Sequence, residues 1–271
     1  SRPSILSLHG IPEVDARFGG GWLSPLKSRA LALTEGFARR RARNVVLLNT
    51  YAAQLLGEEI QGHCWFIENP VSDVFFSTIR KPAGYLFFAG MIREEKNVLG
   101  LLRIFEIVRR TFPDIRLRIA GPVREPKYMK RCEAYVIEKQ MGAFVDFLGA
   151  LTPDQVAEEL SGALCSLLPS FQEVAPLFVS ESMAAGVPVV ASDVGGVKSI
   201  IQEGRTGYIT AAGDHEAMAK ATCVLLGDAA RAEEMGLAGR CLAFERFHVD
   251  SVLSRTLDVY REVLNGSCLL E

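Results

Sequence analysis

The sequence predicts an α/β protein of the Rossmann-like, parallel-sheet type, in two domains. Three observations carry this. Short, continuously apolar runs alternate with helix-period segments from about residue 85 onward. Such runs mark strands buried on both faces, as in parallel sheets covered by helices. Glycine or proline punctuates most of the junctions. The length of 271 residues also suits two domains better than one.

Taken in order, Ile5 to Leu8, Val45 to Asn49 and Cys64 to Ile67 are candidate strands. A helix from about Lys27 to Arg43 separates the first two. This makes residues 1–78 a partial, acceptor-side α/β domain, with a hinge bracketed by Glu68-Asn69-Pro70-Val71 and Lys81-Pro82-Ala83-Gly84. Residues 79–246 form the larger Rossmann-like domain. Tyr85 to Gly90 reads as its first strand, and Asn97 caps a helix that places Val98, Leu101, Leu102, Phe105 and Val108 at helical spacing. Strands follow at Ile115 to Gly121, Phe144 to Gly149, Ala163 to Leu168 and Val187 to Ser192. Helices are expected at Pro126 to Gln140 and Pro176 to Ala185, and Thr152-Pro153-Asp154-Gln155 opens another with an N-cap, an N1 proline and a capping-box glutamine. Residues 247–271 carry a last helix, from Val249 to Leu264, expected to pack back toward the N-terminal part.

Composition excludes several classes. With 49% hydrophobic and 23% charged residues the chain is globular, and a net charge of −2 offers no field for nucleic acid. The six cysteines include no CxxC pair and several lie in apolar runs, which fits buried free thiols in a reducing cytosol rather than disulfides or zinc. No apolar run is long enough to cross a bilayer. The expected location is cytoplasmic. Arg39-Arg40-Arg41 and Arg43 are read first as a solvated helix end and second as a peripheral contact with anionic membrane.

The stretch from Pro169 to Ser192 carries the chemistry. It leaves a strand, sets Glu173 in the loop, opens a helix at Pro176 and places Glu181 on that helix. Ligands in doubly wound sheets sit at the carboxyl ends of strands, and a helix N-terminus there suits a diphosphate. With Pro176 at N1, the amides of Leu177 and Phe178 remain available. Glu181 suits a ribose diol and Glu173 the hydroxyls of a sugar, whereas a loop charge and a helix-face charge are the plain alternative. A glutamate inside Leu177-Phe178-Val179-Ser180-Glu181-Ser182-Met183-Ala184 is awkward for a buried helix unless something pairs with it.

This stretch resembles the signature of retaining GT-B glycosyltransferases of the glycogen synthase and phosphatidylinositol mannosyltransferase type, family 4 (glycosyl transferases group 1). Glu173 and Glu181 have the spacing of that motif, and Pro188-Val189-Val190-Ala191-Ser192 its closing strand. The likeness continues through Gly195-Gly196, Gly204 to Tyr208 and Ala212-Gly213-Asp214, and back through Val145 to Gly149 and Gly121-Pro122. It implies a GT-B fold and transfer of a sugar from a UDP-, GDP- or ADP-sugar to a carbohydrate, lipid-linked or small-molecule acceptor, without cofactor or metal. It implies that Glu173 contacts the donor sugar and Glu181 the ribose. Gly90, Val174, Ala175, Pro176, Leu177 and Phe178 join Glu181 as donor-binding positions.

In Gly90-Met91-Ile92-Arg93-Glu94-Glu95-Lys96-Asn97, Lys96 matches the lysine that neutralises the leaving diphosphate. Met91 occupies the position of the family's arginine, and Arg93 is the candidate substitute; the bland reading makes both cations solvated loop charges. Val174-Ala175-Pro176 also departs from the family's Gly-Phe-Gly. Ser7-Leu8-His9-Gly10 resembles the strand-end His-Gly near the reacting sugar, which makes His9 a catalytic candidate beside Glu173, Lys96 and Arg93. Gly19-Gly20-Gly21 reads as a loop rather than a phosphate cradle. Relatives of this type begin with further strands, so the chain is expected to be a fragment, a short form, or one completed by a partner chain or a second copy. The competing expectation is therefore a nucleotide-sugar binding module that does not catalyse transfer.

Overall fold

The computed structural model describes residues 4–8, 34–57 and 59–268. His9 and the Gly19 to Gly21 run lie outside the described residues, as does the first part, 27–33, of the expected 27–43 helix; residues 34–41 are helical. The chain divides into two compact units, Val71–His248, and Ser1–Pro70 together with Val249–Glu271.

The larger unit is built on six parallel strands: β4 (Tyr85–Ala89), β5 (Arg116–Ala120), β6 (Val145–Gly149), β7 (Ala163–Leu168), β8 (Val189–Ser192) and β9 (Gly207–Thr210). Their spatial order is β6-β5-β4-β7-β8-β9. Counted within the unit this is 3-2-1-4-5-6, so the winding reverses between β4 and β7, where doubly wound sheets bind their ligands. Leu86, Phe87 and Phe88 of β4 are fully buried, as expected for a central strand covered on both faces. Phe87 and Phe88 meet Phe178 edge to face at centroid distances of 5.7 and 6.0 Å, which fixes the helix Leu177–Ala184 against β4.

The unit starts at Val71 rather than at residue 79. The reason is local: Phe75 and Phe76, on the short helix Asp73–Phe76, belong to the large core. Val71 N–H also donates to Phe247 O at 2.8 Å, so the entering and leaving chains are tied together.

The smaller unit holds three parallel strands in the order β1 (Leu6–Leu8), β2 (Asn44–Leu47), β3 (His63–Phe66). Its own core joins Val46 and Ile67 to Val252, Val259 and Val263 of the helix Val249–Cys268. Arg39 is not a solvated helix-end charge. It is fully buried, with its guanidinium 2.8 Å from Glu59 and 3.9 Å from Glu35. A buried cation needs such carboxylates, and this one is no candidate for a membrane surface. Among the described residues the cysteines are free, but Cys241 is exposed rather than buried.

Candidate functional site

Two loops meet at the carboxyl ends of β4 and β7. The first runs from Gly90 to Asn97 and closes with a 3-10 turn, Glu94–Lys96. Asn97 ends it in the left-handed region (φ 52°), a conformation asparagine tolerates better than most residues. Its side chain then does two things. Oδ1 accepts from Gly100 N–H at 3.1 Å, capping the helix Val98–Arg109, and Nδ2 donates to Pro169 O at 3.0 Å. The second bond crosses to the loop after β7, and a third connection, Phe171 N–H to Glu95 O at 2.9 Å, runs the other way. Adjacent loops are thus fastened by backbone and amide groups before any charge is considered.

Four charged side chains gather on this frame. Lys96 Nζ lies 2.8 Å from Glu173 Oε1 and 3.7 Å from Glu95 Oε1, and Arg93 pairs with Glu95. Glu173 is 8% exposed, and its Oε1 also accepts from the fully buried Ser170 hydroxyl at 2.7 Å. Its main chain is held by Gly196 N–H, which donates to Glu173 O at 3.2 Å. Lys96, Arg93 and Glu173 are therefore brought together, and the two cations are not solvated loop charges: the Arg93 side chain is 20% exposed and that of Lys96 16%. Their formal charges cancel those of Glu95 and Glu173.

The helix Leu177–Ala184 starts beside this cluster in sequence. Pro176 is its N-cap, not its first helical residue, because ψ there is 101°. Val179 N–H turns back to Pro176 O at 3.2 Å, so Leu177 and Phe178 still present the first amides of the helix. Phe178, Val179, Ser180, Ser182, Met183 and Ala184 are buried, and Glu181 is the one charged residue of the helix. Burial pushes the Glu181 carboxyl up to about 7. Gly90, at the end of β4, donates its N–H to Ala120 O at 2.9 Å.

Sequence reasoning missed Glu95, Ser170 and the cross-loop role of Asn97. Glu95 stood between Arg93 and Lys96 in the run, but only the adjacency of β4 and β7 shows that its carbonyl accepts from Phe171 N–H. Lys96 and Arg93, expected to meet the diphosphate, each have a carboxylate partner. Among the described residues no group of three or more His, Cys, Asp or Glu side chains is placed to hold a metal. A separate cavity of about 480 Å³ opens near Pro82, Leu164 and Gly186, at the amino ends of the strands and away from these groups. Its two lining arginines are already committed to main-chain carbonyls, Arg80 to Leu160 O at 2.7 Å and Arg240 to Thr78 O at 2.9 Å.

Residues 72–241 match the family described as Glycosyl transferases group 1. The chain is 32% identical, over 96% of its length and 73% of the relative's, to alpha-maltose-1-phosphate synthase of Mycolicibacterium smegmatis. It is 25% identical to glycogen synthase of Mycobacterium tuberculosis over 97% of its own length, and spans only 64% of that protein. Among solved structures, Anabaena HepE in complex with UDP and glucose superimposes with a TM-score of 0.81 at 17% identity, over 96% of this chain and 72% of that one. The fold, the residues matched and the identity over nearly the whole chain lead to one conclusion: the protein is a member of the glycosyl transferases group 1 family, with the GT-B fold.

Proposed function

We propose that the chain binds a nucleoside diphosphate sugar at the carboxyl ends of β4 and β7 and transfers the sugar, with retention, to a hydroxyl-bearing acceptor. The observation that supports this most is the Lys96–Glu173 pair, set beside a helix whose first amides are unspent. Glu173 faces the hydroxyls of the donor sugar. When the donor's diphosphate arrives, Lys96 can exchange its bond to Glu173 for one to phosphate. Breaking the bond between sugar and phosphate then leaves negative charge on the diphosphate, which Lys96, Arg93 and the amides of Leu177 and Phe178 stabilise where it develops. Glu181 takes the ribose hydroxyls.

The base is one of uracil, guanine or adenine, and the acceptor a carbohydrate, a lipid-linked sugar or a small polyol. The Mycolicibacterium relative is named for maltose 1-phosphate synthesis and the Mycobacterium relative for glycogen synthesis, so an α-glucan or sugar phosphate acceptor is the first to try. His9, in a segment that resembles the family's strand-end His-Gly, stays a catalytic candidate that lies outside the described residues. The chemistry asks for no metal, and a cytoplasmic site of action is where nucleotide sugars are made available. No described helix is long and apolar enough to cross a membrane.

The test is a thermal-shift panel of UDP, GDP and ADP with the purified chain, followed by donor hydrolysis and transfer assays with product anomer analysis. A preferred diphosphate at 100 times its Kd should stabilise the native state by ~2.7 kcal/mol. Binding without hydrolysis or transfer would mean a nucleotide-sugar binding module, the reading favoured by the loss of the family's arginine at Met91. No shift with any diphosphate would refute both.

A further inference from the structure

Glu95 has no role in the donor reading above, yet it is the group on which the cations of that site converge. It is 8% exposed, pairs with Arg93, and lies 3.7 Å from Lys96 Nζ. Its carbonyl oxygen, in turn, accepts from Phe171 N–H of the facing loop at 2.9 Å. Side chain and main chain of one residue therefore hold both cations and the loop that carries Glu173.

We infer that Glu95 is a positioning residue for the diphosphate end of the donor site, holding Arg93 and Lys96 in place when Glu173 releases Lys96 to bind the sugar. The inference rests on the donor-site reading and deepens it. Lys96 has two carboxylate partners, at 2.8 and 3.7 Å. A donor that engages Glu173 removes the nearer one. Without Glu95, the lysine would then be a freely rotating ammonium and Arg93 would have lost the partner that orients its planar fork, which matters because guanidinium recognition of phosphate depends on angle. Charge alone argues the opposite way. Glu95 lowers the positive potential that a diphosphate meets, so if it acted only as a counter-charge, its removal would tighten binding. Positioning and simple neutralisation thus predict effects of opposite sign.

Calorimetric affinities of wild type and Glu95→Gln for UDP, GDP and ADP, each compared with its nucleoside monophosphate, decide the matter. Positioning predicts that diphosphate affinity falls about tenfold, equivalent to ~1.4 kcal/mol, with monophosphate affinity unchanged. Glu95→Asp keeps the charge but shortens the reach, and should weaken the diphosphate by an intermediate factor. If Glu95→Gln does not fold, the aspartate variant decides by the same comparison. Unchanged or tighter diphosphate binding overturns the inference, and so does equal weakening of mono- and diphosphate, which would mark Glu95 as part of the framework only. A wild type that binds none of the three diphosphates overturns the donor-site reading itself, and this inference with it.

Discussion

Glu181 opposes stability at neutral pH, and the donor-site reading assigns it to the ribose. Its carboxyl, raised to about 7 by burial, holds its proton more tightly in the folded than in the unfolded chain. Stability from this group is therefore fully present below the ordinary glutamate range near pH 4.5 and is lost as pH rises through about 7. Glu181→Gln should raise the melting temperature at pH 8 relative to wild type and leave it nearly unchanged at pH 4.5, as differential scanning calorimetry would read. The same variant should weaken nucleotide binding, by at least about tenfold for a lost charge-assisted contact of ~1.5–3 kcal/mol. Because the ionised form is the better acceptor for a ribose diol, wild-type affinity should rise between pH 6 and 8, and in the variant that rise should disappear. A Glu181→Gln variant that melts at the wild-type temperature at both pH values would remove the burial argument for this residue. Glu173 and Glu181 were legible in the sequence because their spacing and apolar surroundings are local facts. Glu95 was not, since its neighbour Phe171 is distant along the chain.

At the level of elements, the site depends on how two strands end. Asn97 ends the first loop, caps a helix and reaches Pro169 O, so Asn97→Ala removes a cap, leaves a buried carbonyl unpaired and puts a Cβ-only side chain at φ 52°. A loss of about 2–4 kcal/mol is expected in urea denaturation. A loss below ~1 kcal/mol would show that the loops are held by something else. Gly121, at φ 140°, closes β5 with its Cα against Gly90 O of the neighbouring loop. A methyl group there would have to displace the Gly90 backbone, so Gly121→Ala should cost more than ~2 kcal/mol and weaken nucleotide binding as well; urea denaturation and calorimetry on the same variant measure both, and an alanine variant with wild-type stability and affinity would contradict the close approach. Periodicity placed the helices Val98–Arg109 and Pro126–Glu138 and the strands β4 to β8 to within about two residues. The Thr152 capping box is formed as expected, with Gln155 Oε1 2.9 Å from Thr152 N. The short helix Thr50–Leu56, strand β9 and the helices His215–Gly227 and Ala229–Phe247 were not anticipated. β9 has four residues in a glycine-rich stretch, and its pairing with β8 defines it more than its own propensity does.

For the molecule as a whole, the unit Val71–His248 contains the large core, the switch point and every described member of the candidate donor site. Residues 71–248 produced alone are expected to unfold cooperatively and to bind the preferred diphosphate within about tenfold of the intact chain, that is within ~1.4 kcal/mol. Loss of binding by a fragment that still melts cooperatively would overturn the assignment of the donor site to this unit. The sequence by itself determined the class of the fold, the alternation of elements and the two glutamates, because apolar runs, helix periods and capping residues act over a few neighbouring positions. Only the tertiary structure decided the strand order that sets β4 against β7, the pairing of Lys96 with Glu173 and the bond from Phe171 N–H to Glu95 O. Those contacts join loops some 75 residues apart, Lys96 to Glu173 being separated by 77 positions, and no local rule of propensity reaches that far.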